Sequence, residues 1–430
     1  MRRALLVSYY FPPRFSVGGK RPYGFAKHLP QHGWHVTVLT AAAPPGERVD
    51  PSFSDADLES CDVRRDYFSP RELARLPRRA LGSDGTIAEP TQAWKRTGAR
   101  RGWDRVRAEL RVVPVIGPDT ARAPAVAARL ARLAREAQAE VILASGPPWE
   151  ALLAASAAAR WLRLPLVADF RDPWSFNPTM LMRPAWARAA AELVERALFK
   201  VADAVTTTTE TTRDAYAERA PGARVVCVRS GFDDTAPVAP RRDDAVMLVH
   251  FGNCYGERSL APFLRALAAV TRRRALAPGA IRLLNLGRVT REDLALAAEL
   301  GVGSLFEHQT VLPYAEGLAL VAGADLALLP SFGSEPWFIP GKFYDYLRAR
   351  APILAASAPP EIEKLLGATR LGWSHPAEDT EALARRIDEA IEARAHGRPL
   401  VEPDADALAA LGTRATAGQL ARLLDEVAPR

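Results

Sequence analysis

Apolar and polar positions fall into blocks of two lengths along this chain. Short apolar, β-prone runs recur at 3–9, 34–40, 141–144, 166–170, 204–208 and 225–228. Between them lie longer stretches with apolar residues three and four apart, at 21–32, 122–138, 149–162 and 184–200. The short runs are apolar throughout, as in strands buried on both faces, and the spacing in the longer ones predicts helices. Gly33 marks the end of the first helix. The pattern restarts at 246–251, with further strands at 281–286, 305–307, 325–329, 352–356 and 370–373. Helices are predicted there at 259–273, 291–300, 315–322, 341–350, 360–366 and 379–395, and one last long helix at 404–427. Strands alternating with helices imply an α/β protein of two doubly wound, Rossmann-like domains facing a central cleft. The Asp/Pro/Arg-rich stretch 233–245 lacks apolar period and predicts the linker. The first domain is then 1–232 and the second 246–403, with 404–430 able to pack back on the first.

A length of 430 residues, 48% hydrophobic and 25% charged, suits two globular domains. No apolar stretch reaches the ~20 residues that span a bilayer, and the apolar start stops at Pro12-Pro13-Arg14 without a small-residue cleavage site. Three isolated cysteines offer no disulfide framework. A cytoplasmic protein is expected. His28, His32 and His35 have no carboxylate or cysteine at metal-ligand spacing, so a polar helix face is the reading there. Charge is uneven: residues 64–111 hold 13 basic and 6 acidic residues, the whole of the net charge of +7. Residues 44–120 read as irregular. One basic segment on a neutral body suggests an anionic partner, such as the inner face of a membrane met peripherally.

In open α/β sheets ligands bind at the carboxyl ends of strands, so the loops there carry the candidate chemistry. Gly18-Gly19 precede the first predicted helix, where backbone N–H groups can meet phosphate. The pattern is neither a Gly-x-Gly-x-x-Gly fingerprint nor a Walker A loop. Asp169, Arg171 and Asp172 end a buried strand, suited either to acceptor hydroxyls and proton transfer or to an internal salt bridge. Asn253 and Arg258 lie between a strand and a helix start, and Asn285-Leu286-Gly287-Arg288 ends the next strand. Pro340-Gly341 lead into a helix whose first turn holds Lys342, with Asp345 on the same face. A cation there opposes the helix dipole unless phosphate is present. Asp55-Ala56-Asp57 and Asp404-Ala405-Asp406 match a metal-binding Asp-x-Asp only formally and read as a solvated turn and an N-cap.

The run Ile339-Pro340-Gly341-Lys342-Phe343-Tyr344-Asp345-Tyr346-Leu347, followed by Ala351-Pro352-Ile353-Leu354, resembles the nucleotide-sugar site of GT-B glycosyltransferases, family 4-like. Tyr9-Tyr10-Phe11-Pro12-Pro13, Gly18-Gly19-Lys20-Arg21, Ser145-Gly146-Pro147-Pro148, Asp169-Phe170-Arg171-Asp172-Pro173-Trp174 and Arg229-Ser230-Gly231-Phe232-Asp233 extend the resemblance over most of the chain. It implies a GT-B enzyme moving sugar from a UDP- or GDP-sugar to a polysaccharide or lipid-linked glycan acceptor. The reaction is then retaining, with no resident cofactor and no metal. Asp345 would hold the ribose. Gly18, Gly19, Arg21, Asn253, Arg258, Gly287, Gly341 and Lys342 would surround the donor, and Asp169, Arg171, Arg258 and Lys342 would act in catalysis. Three positions depart from the family pattern: Trp337 where an acid is usual, Asn253 where a base is usual, and Asp345 in place of Glu. Rival readings are a nucleotide-sugar epimerase of the same architecture and a non-catalytic sugar-nucleotide or nucleic-acid binder using 64–111. No nucleic-acid-binding module is present, so nucleic acid is not expected as a partner.

Overall fold

The computed structural model describes every residue except 15–16, 44–48, 51, 54, 69–121, 178–184, 236, 242, 255–257, 275, 278, 310–311, 331–335 and 429–430. The basic stretch 69–111 lies outside the described residues, as does the irregular segment around it up to 121.

Two parallel sheets carry the two domains. The first contains β1 (Arg2–Ser8), β2 (Trp34–Thr40), β3 (Cys61–Arg64), β4 (Val141–Gly146), β5 (Leu166–Phe170), β6 (Ala204–Thr207) and β7 (Val225–Cys227), in the order β3-β2-β1-β4-β5-β6-β7. The second contains β8 (Val246–Phe251), β9 (Ile281–Leu286), β10 (Phe306–Gln309), β11 (Leu326–Leu329), β12 (Ile353–Ala356) and β13 (Gly372–His375), in the order β10-β9-β8-β11-β12-β13. Every strand pair is parallel, with β1 flanked by β2 and β4 and β8 flanked by β9 and β11. The order reverses beside β1 and beside β8, and at these two places the loops part to leave a crevice. The central strands are apolar on both faces because helices cover both: Leu5 and Val7 point into one core of the first domain, Ala4 and Leu6 into the other.

The helices are α1 (Val17–His28), α2 (Ala123–Glu136), α3 (Trp149–Leu162), α4 (Ala185–Val201) and α5 (Glu210–Arg219) in the first domain. The second has α6 (Ala261–Arg273), α7 (Arg291–Glu299), α8 (Tyr314–Ala322), α9 (Gly341–Ala349), α10 (Pro360–Thr369) and α11 (Thr380–Ala395), and the chain continues through α12 (Ala405–Ala410) and α13 (Thr413–Val427). Three elements differ from the sequence reading. Helix α1 starts four residues earlier than the predicted Arg21, so Gly18 and Gly19 lie in its first turn rather than before it. It gives way after His28 to a tight 3₁₀ turn, Leu29–His32, closed by Gly33 at φ 85°. The predicted single helix 404–427 is broken between α12 and α13. Gly412 takes an extended conformation there, and Thr413 N–H donates to Phe232 O at 2.7 Å. The 44–120 stretch, read as irregular, contributes the short edge strand β3.

Helix α13 crosses back to the first domain. Its Ala417, Leu420, Ala421 and Leu424 are buried with Ala4, Leu6, Tyr23 and Phe25. The chain therefore passes between the domains twice, and the two crossings touch: Phe232 N–H donates to Leu411 O at 3.2 Å.

Candidate functional site

A cavity of about 290 Å³ lies between the domains. Helix α1 forms one wall through Gly18, Lys20, Gly24, Lys27 and His28. Helix α9 forms the opposite wall through Gly341, Tyr344, Asp345 and Arg348. The N-termini of the two helices meet, since a Cβ at Gly341 would come within 2.8 Å of Val17 Cγ1. Two positive dipole ends thus converge on one place, which suits an anion.

Pro22 explains the near end of α1. Its missing N–H leaves the carbonyl four residues back, Gly18 O, without a helical donor. The Arg171 guanidinium donates to that carbonyl and to Pro147 O, and at 3.2 Å to Gly146 O. Arg171 so ties together the loops after β1, β4 and β5, and its burial lowers its pKa.

Asp169 proves to be the internal salt bridge of the two alternatives. Arg21 Nη2 donates to it at 2.7 Å and Arg21 Nε at 3.1 Å, with Ser145 Oγ at 2.8 Å and Thr206 Oγ1 at 2.7 Å. Burial alone would raise its pKa, but Arg21, Thr206 and Ser145 overcome this and hold it below the usual range. Arg21 gives its remaining donor, Nη1, to Val228 O at 2.7 Å. Expected among the residues around the donor, Arg21 is instead committed to a buried pair; the 148-residue separation left no trace of it in the sequence. Asp172 differs. It lines the cavity, has no hydrogen bond to any described residue, and burial raises its pKa despite the neighbouring Arg171.

On the other wall Asp345 is occupied. Lys20 Nζ donates to both its oxygens, at 3.0 and 3.2 Å, and Tyr314 OH donates at 2.6 Å. The Lys20 ammonium also lies 3.8 Å from the Tyr314 ring centroid, and Tyr314 stacks between Phe251 and Phe53. Neither Lys20 nor Tyr314 was singled out from the sequence, where Lys20 read as a neighbour of the glycine pair.

Lys342 lies beyond Asp345, over the end of β8. Its Nζ is 2.6 Å from His250 Nε2, and His250 Nδ1 is 2.5 Å from Asn285 Oδ1. Gly252 and Gly287, at φ 145° and 150°, let the loops after β8 and β9 approach closely. A Cβ on Gly252 would lie 2.9 Å from Lys342 Nζ, and one on Gly287 2.3 Å from Gly252 O. Asn253 is exposed and accepts from Arg288 N–H at 2.9 Å. Arg258 lies three residues before α6 and close enough to depress the pKa values of both His250 and Lys342. Arg258, Lys342, Gly252 and Gly287 thus gather where the loops after β8 and β9 meet the first turn of α9. His250 and Asn285, inside strands, read as core from the sequence.

Trp337, at the position where an acid is usual, faces the other domain. Its ring packs edge-on to Phe176 at 4.9 Å, and its carbonyl accepts from Thr209 Oγ1 and Thr212 Oγ1, each at 3.3 Å. Glu361 also bridges the domains, accepting from Glu210 N–H at 2.9 Å and pairing with Arg229. At the cavity floor, ligand atoms of His28, Asp233 and Asp234 lie within 4.8 Å of one another. Lys27 at 3.2 Å and Arg348 at 3.9 Å already supply positive charge to Asp233. His32 instead reaches Arg414 O at 3.3 Å. Asp404 caps α12 through Ala407 N–H at 3.0 Å, and Asp57 accepts from Tyr23 OH at 2.8 Å.

Residues 18–231 match the family described as the glycosyl transferase 4-like domain. The chain is a glycosyltransferase of this family. Its fold is GT-B, similar over 99% of both chains to sucrose-phosphate synthase from Thermosynechococcus elongatus, at 16% identity and a TM-score of 0.62. A glycosyltransferase from Rickettsia africae aligns over 99% of this glycosyltransferase and 98% of its own length, at 11% identity and a TM-score of 0.63. Anabaena HepE, solved in complex with UDP, aligns over 99% and 100%, at 15% and 0.60. No curated protein sequence matches the chain. No helix among the described residues is long and apolar enough to cross a membrane.

Proposed function

We propose that this glycosyltransferase binds a nucleotide sugar with its diphosphate at the facing ends of α1 and α9 and moves the sugar to an acceptor hydroxyl held on the first-domain side. The observation that carries the reading is the meeting of the two helix N-termini, with Lys342, Arg258 and the Gly252 backbone beside it. When the sugar–phosphate bond breaks, its electron pair leaves on the diphosphate. Positive dipole ends and two cations stabilise charge where it develops. These groups occupy the role a divalent ion has in other folds, which supports a metal-independent reaction. Asp345 on α9 is placed for the ribose once Lys20 releases it. Family resemblance supports retention of configuration, a UDP- or GDP-sugar as donor, and a glycan or lipid-linked acceptor.

Thermal-shift screening against a panel of nucleotide sugars, with excess chelator present, tests the reading. One nucleotide class is expected to raise the melting temperature, and transfer with that donor should persist in chelator. Loss of activity restored by Mn²⁺ would move attention to His28, Asp233 and Asp234. No stabilisation by any nucleotide sugar would refute the donor site.

A further inference from the structure

Among the described residues the Lys342 amine has no carboxylate of its own. The nearest carboxylate on α9, Asp345, is taken by Lys20 and Tyr314. From β8 it faces His250; from the following loop Cys254, a thiol pushed up to about 12 and so neutral; and from the approach to α6 the Arg258 cation. The hydrogen bonds fix the state of the imidazole. Asn285 Nδ2 donates to Gly287 O at 2.6 Å, so Oδ1 is the end turned to His250, and an amide oxygen only accepts. His250 Nδ1 therefore carries the proton and Nε2 accepts from Lys342. Burial, with the Arg258 cation nearby, holds His250 well below its usual pKa, so the ring stays neutral.

We propose that His250 is the positioning residue of the donor phosphate site, that it holds Lys342 over the Gly252 backbone as a neutral amine, and that the amine takes up one proton from solvent when a diphosphate enters. The identity of what enters rests on the donor-site reading above; the state of the amine does not. The balance is simple: R–NH₂ plus one solvent proton gives R–NH₃⁺, and no other bond changes. Protonation here costs hydration and meets the Arg258 charge, and no anion offsets either until one arrives. Burial first, and Arg258 after it, lower Lys342 to about 7, against an opposing pull from Asp345.

The test is an NMR titration of the protein labelled with [¹³Cε]lysine. The chain has six lysines, and Lys342→Arg assigns the signal. The Lys342 midpoint is expected near pH 7, and above about 9 in inorganic pyrophosphate, toward an ordinary lysine. A midpoint above about 9 without any anion overturns the proposal. A midpoint near 7 that pyrophosphate does not move overturns the phosphate half and the donor-site reading with it, while the amine's state stands. Two variants probe positioning. His250→Gln keeps an acceptor facing the amine and His250→Asn does not. Donor KM should rise about tenfold or more in His250→Asn, the effect of one lost charge-assisted hydrogen bond, and return to within about threefold in His250→Gln. Equal losses in both variants at unchanged melting temperature would leave His250 a packing residue.

Discussion

Asp169 and Asp172 lie three residues apart at the end of β5 and have opposite environments. Asp169 is saturated by Arg21, Ser145 and Thr206, while Asp172 faces the cavity with a pKa raised by burial. A carboxylate so placed suits an acceptor hydroxyl. Replacing Asp172 with Asn is expected to lower kcat/KM for the acceptor by about a hundredfold or more while leaving nucleotide affinity unchanged; steady-state kinetics and calorimetry check this. The sign of the pH effect follows from the direction of the shift. A carboxyl whose pKa is raised on folding favours the folded state below its unfolded value, and that contribution is lost as pH rises through the folded value. Asp172→Asn should therefore melt above the wild type at pH 7.5, the difference closing toward about pH 4, the unfolded value. Asp345 allows a second comparison. Asp345→Ala should weaken UDP or GDP binding by about tenfold or more, one charge-assisted hydrogen bond, whereas Lys20→Ala should not weaken it, because Lys20 competes for the same oxygens. If calorimetry finds the two variants alike, Asp345 is only a clasp between the domains.

At the scale of elements, the first turn of α1 depends on a residue from another strand. Pro22 leaves Gly18 O without a helical donor, and Arg171 supplies one while holding the loops after β4 and β5. Lysine offers a compact ammonium in place of a planar fork and cannot reach three carbonyls at once. Arg171→Lys is expected to lose about 1–3 kcal/mol of stability from unsatisfied buried carbonyls, seen as a lower denaturant midpoint, and to weaken donor binding because the end of α1 shifts. Gly18→Ala should behave similarly, since its Cβ would collide with the same guanidinium. None of this was legible in the chain. The glycine pair suggested a loop, and propensity alone starts the helix at Arg21. Apolar runs exposed the strands because burial on both faces leaves a local signature. The break at Gly412 escaped notice because it is set by a contact with Phe232, 180 residues away. Lys342 and Arg258 could be noticed because cations near helix starts are locally unfavourable. His250 and Asn285 could not, because a polar residue within an apolar strand gives no sign of what it faces across the sheet.

Over the whole molecule, charge is the most asymmetric property. All of the net charge of +7 belongs to 64–111, in the half of the chain assigned here to the acceptor, with Trp94 and Trp103 among the cations. A lipid-linked acceptor would favour a surface that adheres to an anionic leaflet, at about 1 kcal/mol for each Lys or Arg near it. Liposome co-sedimentation should require acidic lipid, weaken with salt, and fall when Arg100, Arg101, Arg105 and Arg107 are changed to Gln. Equal pelleting with neutral lipid, or none with acidic lipid at low salt, would favour a soluble acceptor.

The return of α13 also constrains the order in which the molecule is made. Residues 413–427 leave the ribosome only after the whole second domain has been synthesised, yet they cover Ala4, Leu6, Tyr23 and Phe25 at the beginning of the chain. Until they arrive, the first domain presents that apolar face to solvent or to a chaperone. Domain-by-domain folding during translation, the usual course for a two-domain chain, is thus denied to the first domain, whose completion waits on the synthesis of the second.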